Sequence, residues 1–150
     1  MDYTIRIAEP NDVNEIINLC AEHAEYEKAE HSKEGKAEKL AAFLFAPNPR
    51  FHCLLVEKNQ VILGYATYAF EFSTWDADLY TNMDCLYLRP QYRGHGIGEA
   101  LVEEIVKQSR LKGIEQVQWH TPTFNVRAIK FYHRIGASSR DKVRFYLPVH

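Results

Sequence analysis

The sequence predicts an α/β fold: a mixed central β-sheet flanked by helices, in a single domain over residues 1–150. Three observations predict it. Segments with strand-like apolar patterning are interleaved with segments at helical spacing. One strand-to-helix junction carries three alternating glycines, Gly94, Gly96 and Gly98. Finally, 46% of 150 residues are hydrophobic, enough for a chain of this length to bury one core. No repeat, low-complexity linker or change of composition marks a second domain.

The elements follow in order. Tyr3 to Ala8 reads as a strand with Tyr3, Ile5 and Ile7 on one face. Pro10-Asn11-Asp12 offers a helix start, with Asn11 or Asp12 as N-cap, and Val13, Ile16, Ile17 and Cys20 then recur at helical spacing. The stretch from Glu25 to Lys39 is charge-dense and predicts a loop; Glu38 to Phe45 predicts a short helix stopped by Pro47-Asn48-Pro49. Phe51 to Glu57 and Val61 to Phe72 are β-rich and joined through Lys58-Asn59-Gln60 as a hairpin. Tyr80 to Leu88 is a further strand. Ile97, Leu101, Val102, Ile105 and Val106 mark an amphipathic helix. Gln116 to Thr121 reads as a strand, Asn125 to Ile135 as a helix ended by Gly136, and Val143 to Leu147 as a last strand.

Composition excludes several functions. With 18 basic against 20 acidic side chains, the net charge of −2 does not fit a general nucleic-acid binder or a polybasic membrane-surface protein. The apolar run from Ala41 to Ala46 is far short of the ~20 residues a bilayer span needs. The N-terminus lacks a basic start followed by an apolar core, so no signal peptide is expected. Three cysteines, Cys20, Cys53 and Cys85, sit in regular apolar segments, which predicts free thiols and a cytoplasmic setting. Neither cysteines nor histidines show metal-ligand spacing, so no metal is expected.

The most informative segment runs from Leu86 to Gly98, where a strand ends, a glycine-rich loop follows and a helix begins. Glycines there allow backbone conformations closed to other residues, and the amides of a helix N-terminus favour an anion. The segment reads as an anion cradle suited to a pyrophosphate; a tight turn without ligand is the alternative. A phosphate-binding P-loop is excluded because no Lys follows the glycines, and a dinucleotide fingerprint because its last position would be Glu99 or Leu101.

Arg93-Gly94-His95-Gly96-Ile97-Gly98 resembles the Q/R-x-x-G-x-G/A acyl-CoA motif of the GCN5-related N-acetyltransferase (GNAT) superfamily, and the order of elements is similar over nearly the whole chain. Tyr26-Glu27-Lys28, Phe51-His52-Cys53-Leu54, Tyr92 to Gly98, and Asn125 with Phe131 to Ala137 further resemble the diamine (spermidine/spermine) acetyltransferase subfamily. The resemblance implies the GNAT acyl-CoA N-acyltransferase fold, acetyl-CoA as cosubstrate and a homodimer. It implies that Leu86, Tyr87, Leu88, Arg93, Gly94, His95, Gly96, Ile97, Gly98, Asn125 and Tyr132 bind the cofactor, with His95 offering backbone rather than ring.

Acetyl transfer to an amine needs a base for the ammonium, stabilisation of the thioester oxygen and a proton donor for the leaving thiolate. Asp84, in the otherwise apolar run Met83 to Leu88, is the candidate base, expected to be buried and so raised in pKa. By resemblance it stands where the subfamily carries a Glu, one methylene longer. Tyr132 is the candidate acid, since a phenol with a pKa of about 10 is protonated at neutral pH. Asn125 can cap its helix and also bind the pantetheine arm. Tyr26, Glu27, Trp75 and Asp84 are the implied acceptor contacts, carboxylates and aromatic faces both suiting a cation. The subfamily's Asp before that Trp is replaced here by Ser73-Thr74, with Asp76 and Asp78 following. Cys85 is expected on the opposite strand face from Asp84, and no G-x-S-x-G is present, so direct attack is expected rather than a covalent intermediate.

The resulting expectation is an N-acetyltransferase moving acetyl to a primary amine of a small cationic molecule, with a diamine or polyamine favoured. An amino-acid or protein amine is the second enzyme reading, and a non-catalytic acyl-CoA-binding module the reading from another class. The charges divide unevenly: residues 1–88 hold 15 acidic and 7 basic side chains, residues 89–150 hold 5 and 11. An acidic half suits a cationic amine and a basic half suits anionic CoA.

Overall fold

Five strands form one sheet in chain order: Thr4–Ile7 (β1), Phe51–Lys58 (β2), Val61–Ser73 (β3), Asp78–Leu88 (β4) and Val117–Gln118 (β5). The first four pair antiparallel and β5 joins β4 in parallel, so the sheet is mixed as expected. The computed structural model describes all residues, Met1–His150, in two units, Met1–His120 and Thr121–His150. The first holds the whole sheet with helices Val13–Tyr26 (α1), Lys36–Leu44 (α2) and Ile97–Leu111 (α3); the second holds Val126–Arg134 (α4). No helix is long and apolar enough to cross a membrane.

The β2–β3 hairpin turns through Asn59 and Gln60, both at positive φ, between the paired Lys58 and Val61. That is the left-handed geometry a two-residue hairpin demands. Cys53, Leu54, Leu55 and Val56 are consecutively buried, as a strand covered on both faces requires. One face packs Ile16 and Leu19 of α1 and Leu44 of α2 against Cys53, Leu55, Tyr65 and Tyr87. α3 packs on β4 and β3; its buried stripe is Ile97, Leu101, Val102 and Ile105. A buried hydrogen bond of 2.6 Å between the hydroxyls of Thr81 and Ser109 fastens it to β4.

Those two attachments lie on opposite faces of β4, although Thr81 and Tyr87 are an even number of residues apart. The register explains it. Thr67 pairs with Cys85 and Tyr68 with Met83, which leaves Asp84 as the extra residue of a β-bulge. The bulge reverses the alternation, so that Cys85 and Tyr87 share a face with Tyr65 towards α1 while Thr81 and Met83 face α3. Asp84 is exposed. Its expected burial is therefore corrected: a bulged residue is turned out of the regular pleat. The expectation that Cys85 points away from Asp84 is corrected too, since the Cys85 thiol donates to the Asp84 carboxylate at 3.8 Å.

In the second unit, α4 ends as expected at Gly136 (φ +105°), with Ala137 N–H bonding Tyr132 C=O and Gly136 N–H bonding His133 C=O. Val143 to Leu147, expected as a strand, takes no regular structure, and Val143, Phe145 and Leu147 are exposed. Alternating apolar residues make a strand only where a neighbour supplies the ladder.

Two predictions follow from this framework. A Cβ at Gly64 would lie 2.4 Å from the Tyr87 carbonyl and 2.5 Å from a Leu88 methyl. Gly64→Ala should therefore destabilise by about 1–3 kcal/mol in urea unfolding. At the other edge, Arg6 grips Asp12 through two bonds of 2.8 and 2.9 Å, which hold the Asp12 carboxyl below its ordinary value. A depressed folded value contributes stability above the ordinary aspartate pKa of about 3.9, and that contribution is lost as pH falls through the folded value. Asp12→Asn should remove this component of the acid-side slope in urea midpoints measured across acidic pH.

Candidate active site

β4 outruns β5. Their pairing covers Thr81 and Asn82 only, so from Met83 to Leu88 the strand has β3 on one side and no strand on the other. The orientation of its backbone groups follows from one bond: Arg89 N–H reaches Leu63 C=O at 3.0 Å, making 63 and 89 a hydrogen-bonded pair. In antiparallel pairing such pairs alternate. Residues 87 and 85 thus bond β3, while the N–H and C=O groups of Leu86 and Leu88 point to the edge without a strand.

The loop after β4 carries this edge into α3. Gly94 and Gly96 sit at φ +81° and +78°, with open space where a Cβ would be. Their absent side chains answer to backbone conformation rather than to crowding. Gly96 is the N-cap of α3 and the first intrahelical bond runs from Ala100 N–H to Gly96 C=O at 3.1 Å, so the amides before Ala100 are free of the helix ladder. His95 is exposed and Ile97 buried, which anchors the helix while leaving the loop outside. The arrangement is an amide-lined cradle continuous with the strand edge, matched to an anion followed by an extended amide-bearing chain.

The end of α1 is fixed against the same place. The Arg93 guanidinium lies 4.6 Å from the Tyr26 ring centroid and 5.4 Å from that of Tyr87, and its Nε donates to Leu88 C=O at 2.9 Å. Arg89 donates to Glu22 at 2.9 and 3.0 Å, to Glu15 at 3.1 Å and to Ile62 C=O at 2.8 Å. His23 is sandwiched in: its ring stacks on Tyr87 at 5.2 Å, Nδ1 meets the Tyr65 hydroxyl at 3.0 Å and Nε2 meets Glu27 at 2.8 Å. Burial pushes the Tyr65 and Tyr87 phenols up and the Cys85 thiol up to about 12.

Thus the first unit brings Tyr26, Glu27, Tyr87, Leu88 and Arg93 into one cluster at the head of the open edge, with Asp84 at its base. It does not bring Trp75 there. Trp75 stands at the β3–β4 turn, 99% exposed, six strand residues beyond Asp84 counting from Asp78, or about 20 Å along the ribbon. Asn125 and Tyr132 belong to the second unit. Asn125 caps α4, accepting from Ala128 N–H at 3.4 Å and donating to the Thr121 hydroxyl at 3.3 Å. Tyr132 lies against Phe131, with ring centroids 5.3 Å apart. Sequence reasoning missed His23, Tyr65 and Arg89. The spacing of His23 and Glu27, four apart on one helix face, was the available signal for the first; nothing local marks Tyr65 or Arg89.

A mixed sheet whose strand loses its neighbour and feeds a glycine-capped helix offers one continuous site for an anion joined to an extended chain. Residues 12–137 match the acetyltransferase (GNAT) family, and the chain belongs to that family. It is 33% identical over 142 residues to the thialysine N-epsilon-acetyltransferase of Mus musculus, covering 89% of this chain and 82% of the relative. It is 29% identical over 145 residues to the human spermidine/spermine N(1)-acetyltransferase-like protein 1, covering 91% of this chain and 21% of that protein. An aminoglycoside N-acetyltransferase crystallised with CoA superposes with a TM-score of 0.83 at 15% identity, over 99% of this chain and 96% of that one. The chain is an acetyltransferase of the GNAT fold, and its family transfers acetyl from acetyl-CoA to amines.

Because Gly94 and Gly96 face open space, their conformation alone should oppose substitution. Gly94→Ala and Gly96→Ala are each expected to lower stability by about 1 kcal/mol, read in urea unfolding.

Proposed function

We propose that this enzyme acetylates the terminal primary amine of a small cationic acceptor, and that the acceptor is an amino acid with a side-chain amine of the lysine-analogue kind. The observation that carries the transfer site is the open edge of β4, which begins at Met83 and leads into the Gly94–Gly96 cradle. The thialysine-acetylating relatives support the acceptor class, as does the L-ornithine N5-acetyltransferase of Arabidopsis thaliana, 29% identical over 77 residues. A diamine or polyamine is the second reading, favoured by the acid excess of residues 1–88. We read residues 1–150 as one catalytic domain because the family match crosses the boundary between the two units. A homodimer in the cytoplasm is part of the same proposal; a monomeric sedimentation mass would remove its first half.

The strand edge and cradle fit acetyl-CoA. Leu86 and Leu88 would hold the thioester and pantetheine arm through backbone groups, joined by Asn125; the amides of Gly94, His95, Gly96, Ile97 and Gly98 would hold the pyrophosphate. Tyr87 and Arg93 brace the edge. The bound thioester supplies an acetyl carbon open to attack. Asp84, exposed beside the edge, takes the ammonium proton through water, and Tyr26 and Glu27 orient the cation. As the new C–N bond forms and the C–S bond breaks, Tyr132 would give its phenolic proton to the departing sulfur, and the second proton shed by the acylated nitrogen would restore the phenol. A thiol held up to about 12 is protonated at neutral pH, which speaks against Cys85 as an acetyl carrier.

A CoA-thiol release assay across thialysine, lysine, ornithine, diamines and polyamines tests the acceptor. The expected order places a lysine analogue first in kcat/KM, and a diamine in that place would reverse the two readings. Tyr132→Phe and Asp84→Asn should each lower kcat roughly a hundredfold with acetyl-CoA affinity retained. An unchanged kcat would remove Tyr132 as the acid, and an unchanged pH profile would remove Asp84 as the base.

A further inference from the structure

His23 is the least explained group near the site. Its side chain is 14% exposed, on the last turn of α1, and it has a partner on every side. Nε2 meets the Glu27 carboxylate at 2.8 Å, Nδ1 meets the hydroxyl of Tyr65 at 3.0 Å, and the ring stacks on Tyr87. Tyr65 is 1% exposed, and its hydroxyl also meets the thiols of Cys20 and Cys85. The donor inventory fixes how these groups share hydrogens. A carboxylate only accepts, so Nε2 carries a hydrogen; in the neutral ring Nδ1 then accepts from Tyr65. On protonation Nδ1 donates instead, and the Tyr65 hydroxyl must turn towards a thiol.

We propose that His23 is a positioning residue for acceptor recognition: held by Tyr65 and Tyr87, it fixes the Glu27 carboxylate in place and sets the charge that this carboxylate presents to the second cation of the acceptor. This rests on the reading of Glu27 as an acceptor contact. With His23 neutral, the pair carries one negative charge and attracts a second ammonium. With His23 protonated, the pair is neutral and that attraction is lost. The other groups facing the ring are Tyr65 on β3 and Tyr87 on β4, with Cys20 and Cys85 behind Tyr65. Arg93 lies over the Tyr87 ring, and Glu22, Glu25 and Arg89 lie near that tyrosine. His23 bonds neither Arg89 nor Glu22, so its protonation is read at Glu27 first.

The test compares lysine with aminohexanoate, the same chain without the α-ammonium, across acidic to alkaline pH. Two readouts are taken, kcat/KM and calorimetric binding to the CoA complex. In the parent protein the preference for lysine should fall roughly tenfold as His23 takes up a proton, carried by KM rather than kcat. His23→Gln should abolish this pH dependence while acetyl-CoA affinity stays within about twofold. Glu27→Gln should abolish the preference itself, and adding His23→Gln to it should change nothing further.

A preference in His23→Gln that tracks the parent protein across pH would overturn the proposal. So would equal losses for both acceptors, the signature of a merely structural role. If His23→Gln does not fold, the ring nitrogens of the parent protein decide by NMR, and a neutral ring with its hydrogen on Nδ1 would overturn it. Binding separates this inference from the functional reading. A pH-dependent preference without turnover would overturn the proposed reaction alone, whereas turnover with a pH-independent preference would overturn only the role of His23.

Discussion

One extra residue in β4 is the constraint on which the site depends. Without the bulge at Asp84, strict alternation would put Thr81 and Tyr87 on the same face of the sheet. One helix would then lose its anchor, either α3 at the Thr81–Ser109 bond or α1 at the His23–Tyr87 stack. With it, one strand serves both faces in succession. The changeover comes two residues after the strand's pairing with β5 ends, at Asn82 and Gln118. A residue excluded from the regular ladder, a carboxylate turned to solvent and the start of an unpaired backbone edge therefore fall together. The bulge thus sets an exposed carboxylate beside backbone groups that no strand engages.

The open edge would be a liability without support, since an unpaired strand is free to twist or to pair with another chain. Two arginines supply the support from the strand's own end. Arg89 joins Glu15 and Glu22 of α1 to the Ile62 carbonyl, and Arg93 spans the rings of Tyr26 and Tyr87 while bonding Leu88. Exposed ion pairs contribute little stability by themselves, and Glu15 and Glu22 are 39% and 37% exposed. Their effect is geometric. They set α1 against the strand and so decide where Tyr26 and Glu27 stand relative to the cradle.

Local chemistry made part of this legible in the sequence. Gly94 and Gly96 adopt the left-handed conformation that a glycine-rich strand-to-helix turn implies, Asn125 caps α4, and Gly136 ends it. Each depends on residues only a few positions apart. The bulge was not legible, because counting alternate residues assumes an unbroken ladder, and the break lies in pairing with β3 rather than in Met83-Asp84-Cys85 itself. That assumption misplaced Cys85, while Asp84 was read as buried from the apolar residues around it. The contact of His23 with Tyr65 spans 42 residues, and no local pattern announces it. The C-terminal segment erred the other way: Val143 to Leu147 has the alternation of a strand, but alternation specifies a face, not a partner.

The partition of charge along the chain changes meaning once the pairs are known. The acid excess of residues 1–88 looks like a surface prepared for a cation, yet five of its fifteen carboxylates are already engaged. Asp12 and Glu57 hold Arg6, Glu15 and Glu22 hold Arg89, and Glu27 holds His23. Arg89 also comes from the basic half, so one of its cations stabilises α1 rather than a phosphate. What remains for an acceptor near the strand edge is Asp84, exposed, Glu25 near the Tyr87 ring, and Glu27, 31% exposed and shared with an imidazole. A long polycation is best matched by several unshared carboxylates, whereas a short acceptor with one reacting amine and one further charge needs few. The paired state of the acidic residues, more than their number, is what favours the shorter acceptor.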